Sequence, residues 1–248
     1  MGNSFDWMPK WIGKRYSILW SSYKEAIFTY DDAEELLGKY TSNYLSEMKK
    51  AHTLFVFQKN GKKRDYRLLS PQIYIFSYAN QLHLDWLKQG RYAHLLLKFL
   101  KLLKEDMKDN LLAIGIFGSV ARGHAKLDSD IDLFIIVDEM SLSLLQRTKY
   151  LLKIKRQDLV ESELDFLDKH NIHPKLNFFI REKNELRLNF FTLDISFDLN
   201  ILYDEGVLTE YLHIIKDKID KKGVKRKYLE DGRYYLDLNI EFGEVFEF

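Results

Sequence analysis

Apolar positions in the first fifty residues recur with helical spacing. Ile12, Tyr16, Leu19, Trp20 and Tyr23 stand three to four apart within residues 11–26, which predicts a helix with one buried face. Asp31, Asp32, Glu34 and Glu35 open a second, shorter helix ending at Gly38. A third starts at Thr41 or Ser42, turns Leu45 and Met48 inward and ends on Lys49-Lys50. Acids early and bases late suit the helix dipole. The period then changes: Leu54 to Gln58 and Arg64 to Leu69 read as strands, and Asn60-Gly61 between them is a strong hairpin signal.

A second change of pattern falls near residue 71. Residues 80–109 read as helical, with Leu96, Phe99, Leu100, Leu103 and Met107 in one stripe and Gly90 dividing the segment in two. Leu111 to Phe117 is continuously apolar and ends in glycine and serine, as a buried strand does. A second strand carries Ile131 to Val137, and a long helix is expected over 141–169. From 191 to 199 the odd positions Phe191, Leu193, Ile195, Phe197 and Leu199 are apolar, while Thr192, Asp194, Ser196 and Asp198 are polar, which predicts a strand with one wet face. A turn at Leu202 to Gly206 and a helix over 208–221 follow.

Composition narrows the class. The chain of 248 residues, 46% hydrophobic and 30% charged, can bury a large core in one large domain or two small ones, and is no disordered tail. It has no cysteine, which excludes disulfides, thiolate zinc sites and cysteine nucleophiles, so any metal must use oxygen or histidine. No apolar run reaches the roughly 18 to 20 residues that span a bilayer, and Met1 to Lys10 does not read as a secretory signal. The expected location is the cytoplasm, with no membrane partner.

The net charge of +1 says nothing of a polyanionic partner, but its distribution does. Between Lys49 and Arg67 lie seven bases and a single acid, Asp65. Three helices followed by a hairpin resemble a winged helix-turn-helix, a module that usually meets a phosphate backbone with its third helix and its wing. Lys49, Lys50, Lys62, Lys63 and Arg64 are therefore candidate contacts to DNA or RNA. The other readings are a solvated hairpin whose lysines guard an edge strand, and a protein-binding or spacer module.

The chemistry is concentrated in Ile114 to Gly123 and Asp128 to Val137. A strand ends at Gly118-Ser119. There the glycine admits close approach of a ligand to the backbone, and the helix that starts offers unpaired N–H groups and its positive dipole end to phosphate. Ser119 adds a hydroxyl donor. Ten residues on, Asp130 and Asp132 stand at i and i+2, with both carboxylates on one face of a strand. Two carboxylates above a phosphate cradle are a donor set for Mg2+, which prefers few protein oxygens and sites left for water and triphosphate.

Gly118-Ser119, ten residues, then Asp130-x-Asp132 resembles the signature of the DNA polymerase β type nucleotidyltransferase superfamily. Gly-Ser-x-x-Arg-Gly with Ser-Asp-Ile-Asp-Leu is most similar to its minimal nucleotidyltransferase branch and to archaeal proteins that join such a domain to a winged helix. The tail from Gly232-Arg233-Tyr234-Tyr235 to Gly243-Glu244-Val245 is similar to the end of those chains. The resemblance implies an α+β fold: a winged helix-turn-helix over 1–79, then a nucleotidyltransferase domain over 80–248 with a mixed sheet, flanking helices and a C-terminal helix and β extension.

It also implies a reaction. An acceptor hydroxyl attacks the α-phosphate of a nucleoside triphosphate, ATP above all, with two Mg2+ ions, or Mn2+ in their place, as cofactors. Gly118 and Ser119 hold the triphosphate, and Arg122 pairs either with a phosphate or with Asp128. The family's third carboxylate stands on a neighbouring strand; Asp194 is the candidate and Asp198, on the same face, the alternative. It would complete the metal site with Asp130 and Asp132 or take the acceptor's proton. The acceptor is RNA, a protein such as a partner toxin, or a small hydroxylated compound. The Arg-x4 to x6-His pattern of the associated toxin domain does not occur here, so a toxin would be a separate protein.

Other features are weaker. His170 and His173 lie in an expected loop before Pro174 and His124 in a turn, and the bases from Lys216 to Arg233 read first as a solvated face. The competing function is a winged-helix regulator whose second domain senses nucleotide without turnover.

Overall fold

The computed structural model describes residues 8–230, 233–241 and 244–246. Expectations resting on Met1 to Trp7, on Gly232 and on Gly243 fall outside the described residues. The chain is a mixed α+β protein that divides into two units. One runs to Glu105 and adds Lys155–Leu167; the other comprises Asp106–Ile154 and Asp168–Phe248. The boundary expected at 79/80 lies inside the first unit.

In that unit α1 (Lys10–Tyr23), α2 (Tyr30–Leu37) and α3 (Thr41–Lys50) follow the apolar periodicity. A two-residue strand, β1 (Phe28–Thr29), separates the first two. Thr29 caps α2: its hydroxyl accepts from the Asp32 N–H at 3.2 Å, while the Asp32 carboxylate accepts from the Thr29 N–H at 2.7 Å. The early acids therefore start the helix, and Gly38, at φ +73°, stops it. β2 (Leu54–Asn60) and β3 (Lys63–Leu68) pair antiparallel, with Asn60 opposite Lys63 and Gly61 at φ +61° in the two-residue turn. β1 takes the other edge of β3, giving the order β1-β3-β2. Leu19, Phe28, Leu45, Met48, Leu54 and Leu68 fill the space between helices and sheet.

The helix expected from 80 to 109 is shorter and has a different neighbour. Ser70 caps α4 (Pro71–Ala79), with proline at its first position, a start signal that the apolar stripe had hidden. The chain leaves the helix at Gln81, φ +50°, and buries Leu84 and Leu87 in a turn-rich segment. Helix resumes only at α5 (Ala93–Met107). Gly90 is a packing glycine: a Cβ there would come within 2.6 Å of the Val56 carbonyl oxygen.

The second unit is built on a four-stranded sheet. β4 (Leu111–Phe117) runs into the five-residue helix α6 (Gly118–Arg122), and β5 (Ile131–Val137) returns antiparallel beside it. Both strands are apolar on both faces because both are covered, as Ile114 and Ile135 on one face and their neighbours Ala113 and Ile136 on the other, all at zero exposure, attest. The long helix expected after β5 is two, α7 (Leu144–Lys155) and α8 (Asp158–Asp168), with α8 in the first unit. Asp158 and Glu161 supply α8 with its own acidic first turn, and the Val160 and Glu161 N–H groups close on the Gln157 carbonyl.

β6 (Leu176–Glu182) lies parallel to β5. The strand expected over 191–199 is instead the helix α9 (Phe190–Ser196). Asn189 and Thr192 form a reciprocal cap at 3.0 Å in each direction, and this local start outweighs the alternation. β7 (Asn200–Asp204) completes the sheet, in the order β6-β5-β4-β7. α10 (Val207–Lys222) and the hairpin of β8 (Lys225–Tyr228) and β9 (Tyr234–Asp237) follow.

Candidate active site

The site is assembled where three strands meet. At the end of β4 the backbone turns at Gly118, φ +75°, and a Cβ on this residue would overlap the Asp132 carboxylate. Only glycine fits both the torsion and the contact. Phe117 pairs with Asp132 across β4 and β5, and Asp132 in turn is level with Asn177 of β6. Asp130 stands just before β5. The Asn177 amide nitrogen donates to Asp130 Oδ2 at 3.2 Å and to Asp132 Oδ1 at 3.0 Å. The two aspartates expected to share a face do so, half-buried, within reach of one amide group, and Gly118 is against one of them. The Ser119 hydroxyl makes no hydrogen bond among the described residues, while its carbonyl accepts from the His124 N–H at 2.9 Å.

Asn177 was not foreseen. Its signal was a short apolar run after Pro174, Leu176 to Ile180, that reads as a strand without showing which strand it joins.

Asp194 and Asp198 are gathered by a different partner. Arg226 of β8, its side chain 4% exposed, donates to Asp194 Oδ1 at 2.9 Å and also binds the Asp198 carboxylate. Its guanidinium lies over the Tyr234 ring at 4.1 Å and the Phe197 ring at 4.9 Å. The Tyr234 hydroxyl donates to Asp194 Oδ2 at 3.1 Å; burial and then the Asp194 charge push this phenol up, so it stays a donor. Arg122 pairs with Asp198 rather than with Asp128. The expectation of Asp194 on a strand face is thus corrected: α9 carries it, and a buried arginine holds it. Arg226, within the stretch read as a solvated basic face, is the anchor of this cluster.

Two donor sets could be considered for a metal ion. Asp130 and Asp132 turn hard oxygens toward one point, which suits Mg2+ or Mn2+. Glu25, His94 and Glu163 also approach one another, with ligand atoms within 4.8 Å. That second set is already neutralised, since Lys98 binds both glutamates and Arg67 binds Glu163, so a dication there would add uncompensated buried charge. His173 pairs with Asp168 at 2.7 Å.

Lys49 and Lys50 end α3, Lys62 sits in the hairpin turn, and Lys63 and Arg64 open β3; all five are exposed. Lys50 pairs with Glu47 at 2.6 Å. Arg67, counted with them in the sequence, is instead buried.

Residues 98–188 match the profile of the family described as polymerase beta, nucleotidyltransferase. The chain carries a polymerase β type nucleotidyltransferase domain. The match contains Gly118, Ser119, Asp130, Asp132 and Asn177, and ends before Asp194. No curated protein matches the sequence. Among solved structures, a toxin-antitoxin with AMP-PNP is 16% identical, with a TM-score of 0.31, and the match covers 51% of this chain and 90% of that one. The toxin-antitoxin MntA-HpeT in a mutant form is 14% identical at the same TM-score and coverage. TrmBL2, an archaeal chromatin protein, is 12% identical with a TM-score of 0.25, covering 88% of this chain and 95% of its own. Superpositions this loose carry no argument about what the nucleotidyltransferase domain acts on. No helix among the described residues is long and apolar enough to cross a membrane.

Proposed function

We propose that the chain is a Mg2+-dependent nucleotidyltransferase that moves a nucleoside monophosphate from a triphosphate, ATP first, to a hydroxyl acceptor. The convergence of Asp130 and Asp132 beside the Gly118 turn carries this reading. Gly118 and Ser119 bind the triphosphate through backbone N–H groups and the free hydroxyl, and the two aspartates hold the metal. When bound, Mg2+ supplies charge for the phosphates and lowers the cost of deprotonating the acceptor hydroxyl. The acceptor hydroxyl gives up its proton to water, its oxygen bonds to the α-phosphorus as the bond to the bridging oxygen breaks, and pyrophosphate leaves. Asp194 and Asp198 take the role of fixing Arg122 and the β8–β9 hairpin through Arg226, in place of the third-ligand role expected of Asp194.

The first three helices and the hairpin are read as a winged helix, in the order helix, strand, helix, helix, strand, strand. Lys49, Lys50, Lys62, Lys63 and Arg64 would meet a DNA or RNA backbone, so the acceptor class we favour is nucleic acid, with a separate protein partner of toxin type as the other acceptor.

A second reading, a nucleic-acid-binding regulator that senses nucleotide without turnover, is favoured by one observation. The residue level with Asp132 on β6 is an amide, Asn177, which cannot take up an acceptor's proton. Pyrophosphate release separates the two. Release that needs Mg2+ and an RNA or protein fraction, and that stops in the Asp130→Asn, Asp132→Asn double variant, supports the enzyme. Salt-dependent duplex binding that shifts with ATP, with no release, supports the regulator.

A further inference from the structure

Two carboxylates on one strand face repel unless positive charge or a donor sits between them. Here the donor is a single side chain. Asn177 has two amide hydrogens, and both are spent, one on Asp130 and one on Asp132. The acceptors fix the sense of the amide, because turned around it would set its carbonyl oxygen against two anions. The parallel register that puts Asn177 level with Asp132 holds the group in place from a separate strand.

We propose that Asn177 stands in for the metal ion. With the site empty, its N–H groups hold Asp130 and Asp132 together in the arrangement that a divalent cation requires. A cation entering between the carboxylates displaces both hydrogen bonds, and the amide then offers its carbonyl oxygen, exchanging donor for acceptor at the same position. The free chain therefore keeps a formed site without a cation but binds one weakly, since each cation must first break two charge-assisted hydrogen bonds. Tight binding comes only with the phosphate oxygens of a nucleotide, which ties metal occupancy to substrate. This rests on the reading of Asp130 and Asp132 as metal ligands.

The test uses the full chain without nucleotide. Mn2+ binding is followed by the loss of free-ion paramagnetic resonance signal, and thermal unfolding is recorded in EDTA and in Mn2+. Asn177→Asp replaces the donor by a third carboxylate, and should bind Mn2+ tighter than wild type by about tenfold or more. Asn177→Ala adds no charge; it should unfold at a lower temperature in EDTA and gain more from Mn2+ than wild type does. This second variant keeps the test informative if Asn177→Asp does not fold. An Asp variant that binds no tighter than wild type, or an Ala variant as stable as wild type in EDTA, overturns the proposal while the Asp130→Asn, Asp132→Asn variant still loses Mn2+ binding. If that double variant binds Mn2+ like wild type, the metal-ligand reading itself falls, and this inference with it.

Discussion

Arg67 grips Glu163 through two hydrogen bonds, 2.6 and 3.1 Å long, although 96 residues separate them. The side chains are 2% and 1% exposed, and the guanidinium also lies over the Phe166 ring at 3.7 Å. Lys98 binds Glu163 at 2.9 Å and Glu25 at 2.6 Å, so two cations face two anions within the first unit. Removing one member leaves the others charged and buried. Glu163→Gln should destabilise the fold by about 3–5 kcal/mol in denaturant unfolding, whereas an apolar replacement of both partners, Arg67→Met with Glu163→Leu, should cost far less.

The same cluster sets an acid limit. Burial works against the Glu25 charge, but the neighbouring His94 imidazole and the Lys98 ammonium outweigh it and hold the carboxyl down to about 2. His94, fully buried and beside Arg67, is pushed the other way, below its usual value. A depressed carboxyl stabilises the fold above its unfolded value and loses that contribution as pH falls from the ordinary carboxylate range toward the folded value. Wild type should therefore lose on the order of 2–3 kcal/mol over that interval, and Glu25→Gln should flatten the slope. Urea unfolding across the acid range checks this.

Gly118 and Gly38 make a matched pair. Both sit at positive φ, yet a Cβ at Gly38 meets nothing within 4 Å while one at Gly118 meets the Asp132 carboxylate. Gly38→Ala should cost about 1 kcal/mol of stability and leave the site alone. Gly118→Ala should cost at least as much and also displace Asp132, abolishing Mg2+-dependent nucleotide binding. Calorimetric titration of the two variants with ATP and Mg2+ compares them.

How far the sequence revealed this architecture depended on whether the deciding interaction was local. β4 and β5 were legible because continuous apolar runs ended at a glycine-serine pair and at two acids. The stretch 191–199 was misread because its alternation satisfies a strand period equally well, while the deciding cap, Asn189 with Thr192, begins two residues upstream. Asp194 and Asp198 still share a partner, since four residues is close to one helical turn. Arg226 had no such signal: Lys225, Arg226 and Lys227 are bases alike, and only the strand turns Arg226 inward while its neighbours are exposed. Asn177 had only the apolar run around it, which does not show the strand it joins, and Arg67 had nothing, because their roles depend on strand register and on a helix brought from far along the chain.

The exposed bases of the hairpin make a separate prediction, conditional on the winged-helix reading. If Lys62, Lys63 and Arg64 touch phosphates, their triple alanine variant should bind duplex more weakly whatever its sequence. The slope of log affinity against log salt should also fall by about 0.9 for each phosphate no longer neutralised. An unchanged slope would assign the hairpin to solvent or to a protein partner.

The most direct measurement is transfer itself. The purified chain is incubated with Mg2+ and α-labelled ATP in the presence of RNA and protein fractions, beside the Asp130→Asn, Asp132→Asn double variant. Nucleotidyl transfer at the Asp130–Asp132 site predicts label on a macromolecule with wild type and none with the variant; RNase or protease sensitivity then names the acceptor. Label that persists in the variant, or no label from any of the four nucleoside triphosphates, would contradict it.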